Sequence, residues 1–597
     1  MVNFSSQLKN VPQDYQSGFL FGYSIIEDDD VVVCFGCCNN ESNIPYGMNT
    51  VGLYYLNSEL KDEEIISICQ KKFKGKKYDA FVAGITCSEN SKSLICRYFD
   101  LKSEKLESCN FEIVNNEELK SLCLTISLKC RLPFSFNLSY DKAILRKNIQ
   151  SSVAEAKKEI KAIKFKLMNS NLEIGSKNDK KSNQTFMIDL YNYLEDDTLD
   201  EVEVSSNMKQ KMLEKMRKRK IAERTPLFFE SNHNEDVDQS SVVNITEDGS
   251  LISILLNFDL VFNLQTQENI ETLTKIFALS IQRNLDSIPK ILVDFVKLDE
   301  KKLYIPKLYN FYNEFIALYF ISILYPIQIE DDQLTKIRKE IHLRYLIPLD
   351  RPYVRKANCF SFQTSDQYLR NVHLGLDNSG AQNSQISLVY GSYTYHHYMQ
   401  DNFDDSGWGC AYRSLQTIVS WFRNQGYITK NIPNHREIQQ ALVDVGDKSA
   451  NFVGSRQWIG SQEVCFVLEH LYKIQSKIMF VSSGAELANK GRELEHHFTT
   501  QGTPIMIGGG VLAHTIIGVD FDQKSGDIKF LILDPHYTGS EDLKTIQKKV
   551  SALFLEILFL SINYYRVGVG GNNHLFGIKI HFIIFVCLND QLNFNYY

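Results

Sequence analysis

Two short segments carry residue types that together can perform acyl transfer. Cys410 stands in Asp404-Asp405-Ser406-Gly407-Trp408-Gly409-Cys410-Ala411-Tyr412-Arg413, and an aspartate and a histidine lie two residues apart in Asp534-Pro535-His536. A thiol that ionises, an imidazole that accepts its proton and a carboxylate that orients the imidazole make an activated nucleophile. Cys410 is read as that nucleophile, His536 as the general base and Asp534 as its orienter. Each segment alone has a plainer reading: Cys410 as a buried structural cysteine, and the Asp-Pro-His tripeptide as a surface turn.

The elements that must position them follow from local pattern. After Cys410, the apolar residues Leu415, Ile418, Val419 and Phe422 recur at i, i+3, i+4 and i+7, which predicts a helix to about Asn424 ended by Gly426. Gly407 and Gly409 give the chain a permissive entry. Cys410 then sits at the helix N-terminus, where unpaired N–H groups and the dipole favour a thiolate and can serve an oxyanion. Downstream, His514 to Phe521 and Ile528 to Leu533 read as two strands joined by a turn at Gln523–Gly526. Residues i and i+2 of a strand share a face, so a strand ending in Asp534-Pro535-His536 would present carboxylate and imidazole together. His514 is the rival base, although a strand histidine satisfied inside the fold is the simpler account.

At 597 residues the chain needs two or three cores. A net charge of -7 gives no electrostatic footprint for nucleic acid or an anionic membrane. Thirteen cysteines spread over this length are not a secreted disulfide framework, and the polar Met1–Leu20 segment has no export signal, so a reducing cytoplasmic setting is expected. The apolar run Phe315–Tyr325, closed by Pro326, is too short to span a membrane and is read as a buried core helix.

Residues 1–150 read as an α/β region, with strands at Val31–Phe35 and Ala80–Ile85 and a helix near Glu63–Lys72. A charged helical linker is expected over 151–240. Its helix runs from Ser151 to about Asn169, and the basic run Lys215–Lys220 is read as a solvated helix rather than a polyanion patch. Residues 241–360 read as mostly helical, with Leu273, Ile276, Phe277 and Ile281 on one packed face. Residues 361–549 hold the chemistry, and 550–597 form an apolar tail. Cys34, Cys37 and Cys38 lack a second ligand pair and are read as structural thiols rather than a zinc site. His233 is the single histidine before residue 342, which argues against a metalloprotease centre in that half.

Taken together, Gly407–Gln416, Gln457-Trp458-Ile459-Gly460-Ser461, Tyr395-His396-His397-Tyr398-Met399-Gln400-Asp401 and Asp534-Pro535-His536 resemble the ubiquitin-fold-modifier-specific proteases, in their longer type 2 form. The resemblance is dense from Leu374 to Lys549. It implies an α+β architecture: a papain-like cysteine protease domain on the C-terminal side, an N-terminal region similar to an inactive Mov34/MPN fold, and a helical linker between them. It further implies a thiol protease and isopeptidase that trims a modifier precursor after its terminal glycine and removes the modifier from lysines, with no metal or organic cofactor. By the same resemblance Tyr398 is an oxyanion-hole tyrosine, which patterning would not have singled out among 30 tyrosines. Trp408 and Trp458 border the substrate channel, though either has an equal reading as a core aromatic.

The implied partners are the modifier, its conjugates and an endoplasmic reticulum membrane adaptor, with no transmembrane insertion. The resemblance adds recruitment to the endoplasmic reticulum surface to the expected cytoplasmic setting, with the nucleus as the alternative that the basic run Lys215–Lys220 offers. The nearest rival is an autophagin-like protease of lipid-conjugated ubiquitin-like proteins, which shares the Gly-Trp-Gly-Cys and Asp-Pro-His segments. A second rival is a catalytically dead modifier-binding adaptor. After Lys549 the resemblance ends abruptly at Val550-Ser551, a break of the kind that translation through an unspliced intron produces. Ile578–Leu588 is read as a substitute for the family's closing strand.

Overall fold

The computed structural model describes residues 2–5, 8, 17–25, 31–55, 62–73, 80–88, 91–100, 102–114, 119–120, 122–168, 173–174, 227–231, 242–245, 247–266, 268–313, 317–349, 352–360, 368–376, 385–481, 489–509, 512–526, 528–547 and 580–586. The chain forms two compact units, Met1–Leu349 and Asp350–Tyr597. The basic run Lys215–Lys220 lies outside the described residues.

The first unit is built on two large sheets. Cys123–Asn137 and Leu251–Gln265 pair antiparallel along their full length, from Leu251 opposite Asn137 to Gln265 opposite Cys123. Ile252, Ile254, Leu256, Phe258 and Leu260 are buried in strict alternation, so one face of this ribbon makes core. Helices Lys142–Glu159, Ile270–Leu285 and Ile288–Phe295 share that core through Leu145, Ile149, Leu273, Phe277, Ile281 and Leu292. Each such side chain contributes about 1.5–3 kcal/mol by leaving water. Asp141 and Asn269 cap the first two helices by accepting backbone N–H groups. An eight-stranded sheet containing Val31–Cys38 and Ala80–Ser88, with helix Asp62–Phe73, completes the unit. Cys34, Cys37 and Cys38 are buried, and burial pushes the Cys34 and Cys38 thiols up to about 12.

Three expectations need correcting here. From Ala317 on, the Phe315–Tyr325 run is a strand, Ala317–Pro326, not a helix; Phe315 and Ile316 lie outside the described residues. Leu318 to Ile321 and Ile323 to Tyr325 are all buried, so the strand lost the alternation that distinguishes sheet from helix. The region 241–360 is therefore mixed, with three helices beside strands Leu251–Gln265, Pro306–Asn313 and Ala317–Pro326. The charged helix starts earlier and ends earlier than expected, at Lys142–Glu159, and packs into the sheet's core instead of forming a linker. A boundary near 150 cuts through one continuous sheet.

Among the described residues the second unit holds a six-stranded sheet and four helices of ten or more residues. Leu512–Phe521 pairs antiparallel with Gln385–Leu388, Ile505–Gly509 and Ile528–Leu533. The helices are Cys410–Asn424, His435–Asp444, Ser461–Tyr472 and Gly491–Thr500. The tail supplies strand Ile580–Val586, close to the Ile578–Leu588 reading. It lies between Ile505–Gly509 and Ser476–Met479, with Met506 opposite Ile584 and Ser476 opposite Val586.

Candidate active site

The helix Cys410–Asn424 forms as its spacing predicts, but every residue from Cys410 to Phe422 is buried, not just one face. Its entry depends on two glycines. Gly407 has φ +81°, a left-handed conformation that costs glycine little, and a Cβ on Gly409 would stand 2.6 Å from the Asp405 side chain. Cys410 is thereby fixed in the first turn.

The hairpin Leu512–Phe521/Ile528–Leu533 brings the second half of the centre. Its register sets Thr515 opposite Leu533, so His514 and Asp534 follow as neighbours. Asp534-Pro535-His536 lies in a turn just past the strand, so strand alternation is not what joins the carboxylate to the imidazole. Asp534 Oδ1 instead accepts both the His536 backbone N–H at 3.0 Å and His536 Nδ1–H at 2.6 Å. This local closure is available to an aspartate two residues before its donor. It leaves Nε2 of His536 buried, with no hydrogen bond of ordinary geometry to any partner.

Electrostatics couple that nitrogen to the thiol. Burial lowers the His536 pKa, but its contacts with Asp534 and Cys410 outweigh this and raise it from 6.5 to about 9. Burial raises the Cys410 pKa, yet the hydrogen-bonding and charge interactions with His536, and a smaller one with Tyr398, bring it below the ordinary thiol value. Opposite shifts of this kind favour a thiolate–imidazolium pair at neutral pH. Catalytic hydrogen bonds of this class commonly tighten only when substrate binds.

Tyr398 completes the group. Its backbone N–H donates to the Pro535 carbonyl at 2.9 Å, and its ring stands edge-on to His536 with centroids 5.3 Å apart. Burial and the neighbouring Cys410 charge push the phenol pKa up, so it remains a donor. Tyr395 donates its hydroxyl to the Asp534 carbonyl. His397 and Gln400 both reach Glu541, tying the tyrosine segment to the chain beyond His536.

His514 Nε2 lies 3.7 Å from Asp534 Oδ1, and burial lowers its pKa to about 4, which keeps it neutral. His514, Asp534 and His536 place one potential ligand atom each within 4.8 Å of one another. A metal there would compete for the carboxylate that holds His536. The two tryptophans differ. Trp458 is 53% exposed and donates its indole N–H to the Gly407 carbonyl at 3.1 Å, whereas Trp408 is packed among Phe403, Tyr412 and His435.

Several polar residues in this unit escaped the sequence reading. Arg413 is fully buried on the Cys410 helix and donates through Nε to Asp405 Oδ2 at 2.6 Å and through Nη1 to Asp401 Oδ2 at 3.1 Å. His435 Nε2 lies 3.0 Å from the same Asp405 oxygen, out of hydrogen-bond alignment. The available signal was a charged residue one turn into the Cys410 helix, which does not reveal its partners.

Residues 384–556 match peptidase family C78, and residues 147–367 match the N-terminal family "Ubiquitin-fold modifier 1 specific protease 2, N-terminal". The Ufm1-specific protease 2 of Gallus gallus is 47% identical over 326 residues, covering 54% of this chain and 70% of that protein. That of Danio rerio is 45% identical over 326 residues, covering 54% and 80%. A probable Ufm1-specific protease of Oryza sativa is 53% identical over 229 residues, covering 37% and 36%. The crystal structure of UfSP from C. elegans matches with a TM-score of 0.62 at 23% identity over 98% of both chains, a likeness of fold. The chain belongs to the Ufm1-specific protease family.

Proposed function

We propose that this protein is a thiol protease that cleaves after the C-terminal glycine of the ubiquitin-fold modifier Ufm1, maturing its precursor and releasing it from conjugated lysines. The observation that carries the reading is the grouping of Cys410, at its helix start, with the Asp534-bound His536 and the Tyr398 phenol. The Cys410 thiolate attacks the glycine carbonyl, and the oxyanion takes hydrogen bonds from the Tyr398 hydroxyl and the Cys410 backbone N–H. As the C–N bond breaks, the imidazolium of His536 gives its proton to the leaving amine. His536 then takes a proton from water, whose oxygen displaces the thiolate from the thioester. Asp534 holds the imidazole through both half-reactions. Trp458, exposed and anchored to the residue preceding Trp408, flanks the entry for the glycine-bearing tail.

The enzyme works in the cytoplasm and at the endoplasmic reticulum surface through a membrane adaptor, with nuclear access also open. Among the described residues no helix is long and apolar enough to cross a membrane. The N-terminal unit, residues 1–349, is assigned the adaptor contact; proximity labelling in cells by the full chain, with and without those residues, tests this, and equal labelling of endoplasmic reticulum membranes by both would refute the assignment.

The direct test is Ufm1 bearing a C-terminal electrophile, reacted with the full chain, with Cys410→Ser and beside an equivalent autophagy-modifier probe. An adduct with the first probe alone, absent in Cys410→Ser, is the expected result. Adduct with the autophagy probe would select the autophagin-like activity. Tight binding of Ufm1 without reaction would select the adaptor reading.

A further inference from the structure

Tyr398 lies in a backbone that does not hold itself. Met399, Asp401 and Asn402 all have positive φ, at 63°, 64° and 55°; aspartate and asparagine tolerate this left-handed region, but methionine adopts it only when its surroundings impose it. Among the groups that impose it, one residue stands out. Asp405 Oδ1 accepts the Met399 N–H at 2.9 Å, the peptide immediately after Tyr398. Its other oxygen accepts Arg413 Nε–H, and its backbone carbonyl accepts the N–H groups of Trp408 at 3.2 Å and Gly409 at 2.8 Å, the two residues before Cys410. Arg413 then reaches back over the same loop to the Gln400 carbonyl at 3.0 Å and to Asp401.

We propose that Asp405 is a positioning residue for the oxyanion site, fixing the Tyr398 phenol and the Cys410 helix start in one rigid frame. This rests on the reading of Tyr398 given above. Two donors must converge on one oxygen, yet they come from different segments: a left-handed loop and a helix N-terminus. A hydrogen-bonded frame within the protein is what converts two loosely related donors into a preorganised pair. Asp405 is fully buried, and its charge is matched by the equally buried Arg413, so the frame has no solvent to relax into. Gly409 is part of the same device, because only a residue without Cβ lets Asp405 approach so closely.

The test compares wild type with Asp405→Asn, Tyr398→Phe and the double variant. Each is assayed for kcat and KM on Ufm1 carrying a C-terminal fluorogenic amide, and for the pH dependence of Cys410 alkylation by iodoacetamide. Asp405→Asn should lower kcat roughly 10- to 100-fold with KM within about threefold, as misplacement of a catalytic group does. Its alkylation rate should not fall, since the thiol and His536 remain paired. The double variant should be no more than about twofold slower than Tyr398→Phe, because both changes disable one device. Losses that multiply in the double variant, or alkylation that falls with kcat, would overturn the positioning role. A Tyr398→Phe enzyme with wild-type kcat would instead remove the oxyanion reading, and this proposal with it. If Asp405→Asn is insoluble, the partly exposed Asp401→Asn takes its place: a smaller kcat loss that vanishes in the Tyr398→Phe background supports the frame, and one that persists refutes it.

Discussion

Replacing Asp534 by asparagine should dissolve the Cys410–His536 ion pair while leaving the fold intact. In the native site His536 is raised from 6.5 to about 9 although burial works against it. A displacement of that size is worth about 3 kcal/mol of preference for the imidazolium. Asp534 contributes both the 2.6 Å hydrogen bond and a negative charge to it, with Cys410 as the other partner. An asparagine keeps the shape and an acceptor but not the charge, so the imidazolium pKa should fall by on the order of one to two units. The Cys410 thiol, held down by that imidazolium, then rises toward an ordinary value.

The measurement is the rate of Cys410 alkylation by iodoacetamide between pH 5 and 10, a neutral reagent that reports thiolate alone. Wild type should react well below the pH at which a free thiol ionises. The variant should lose roughly tenfold at pH 7 and shift its profile alkaline, toward about pH 8.5. Peptidase turnover should fall further, roughly 10³- to 10⁴-fold, because the imidazole also loses its orientation. Stability is a poorer readout. The raised His536 pKa gives stability that is present below 6.5 and lost as pH rises through about 9, whereas the lowered Cys410 pKa acts in the opposite sense. An Asp534→Asn alkylation profile superimposable on wild type would refute the claim that Asp534 sustains the pair.

Tyr398→Phe should cost roughly 10²- to 10³-fold in kcat with little change in alkylation, the signature of one lost oxyanion donor; an equal loss in alkylation would point to structural damage instead. Arg413→Met should destabilise the second unit by about 3–5 kcal/mol in urea unfolding, since it strands the buried Asp405 charge, and a cost under about 1 kcal/mol would refute that account. Asp405 itself resists burial through its contacts with His435, Arg413 and Met399, which lower its pKa. Its contribution is present above the ordinary aspartate value of 3.8 and is lost as pH falls through the depressed one, so acid unfolding of wild type but not Asp405→Asn should steepen there. Truncation after Gln547 removes the strand Ile580–Val586 and uncovers the edges of Ile505–Gly509 and Ser476–Met479, so the shortened chain should aggregate during expression; a soluble, active truncation would show the tail strand to be dispensable.

Helix and hairpin were legible because their patterns are local. The spacing Leu415, Ile418, Val419, Phe422 gives the Cys410 helix, and the paired apolar runs before Asp534 give the hairpin. The Ala317–Pro326 strand was misread for the converse reason: buried on both faces, it carries no period to recognise. Likewise the 15-residue pairing of Cys123–Asn137 with Leu251–Gln265 joins segments more than a hundred residues apart, which no window of sequence can relate.

Within the site, the sequence by itself determined the reactive groups, a cysteine behind two glycines at a helix start and an aspartate two residues before a histidine. Those depend on neighbours along the chain. Only the tertiary structure decided that Trp408 is packed inside while Trp458 faces solvent, and that Asp405 and Arg413 bind the tyrosine loop to the nucleophile's helix. Those relations are set by contacts through space among buried charges and strained backbone, and their energies exist only once distant segments have excluded water from between them.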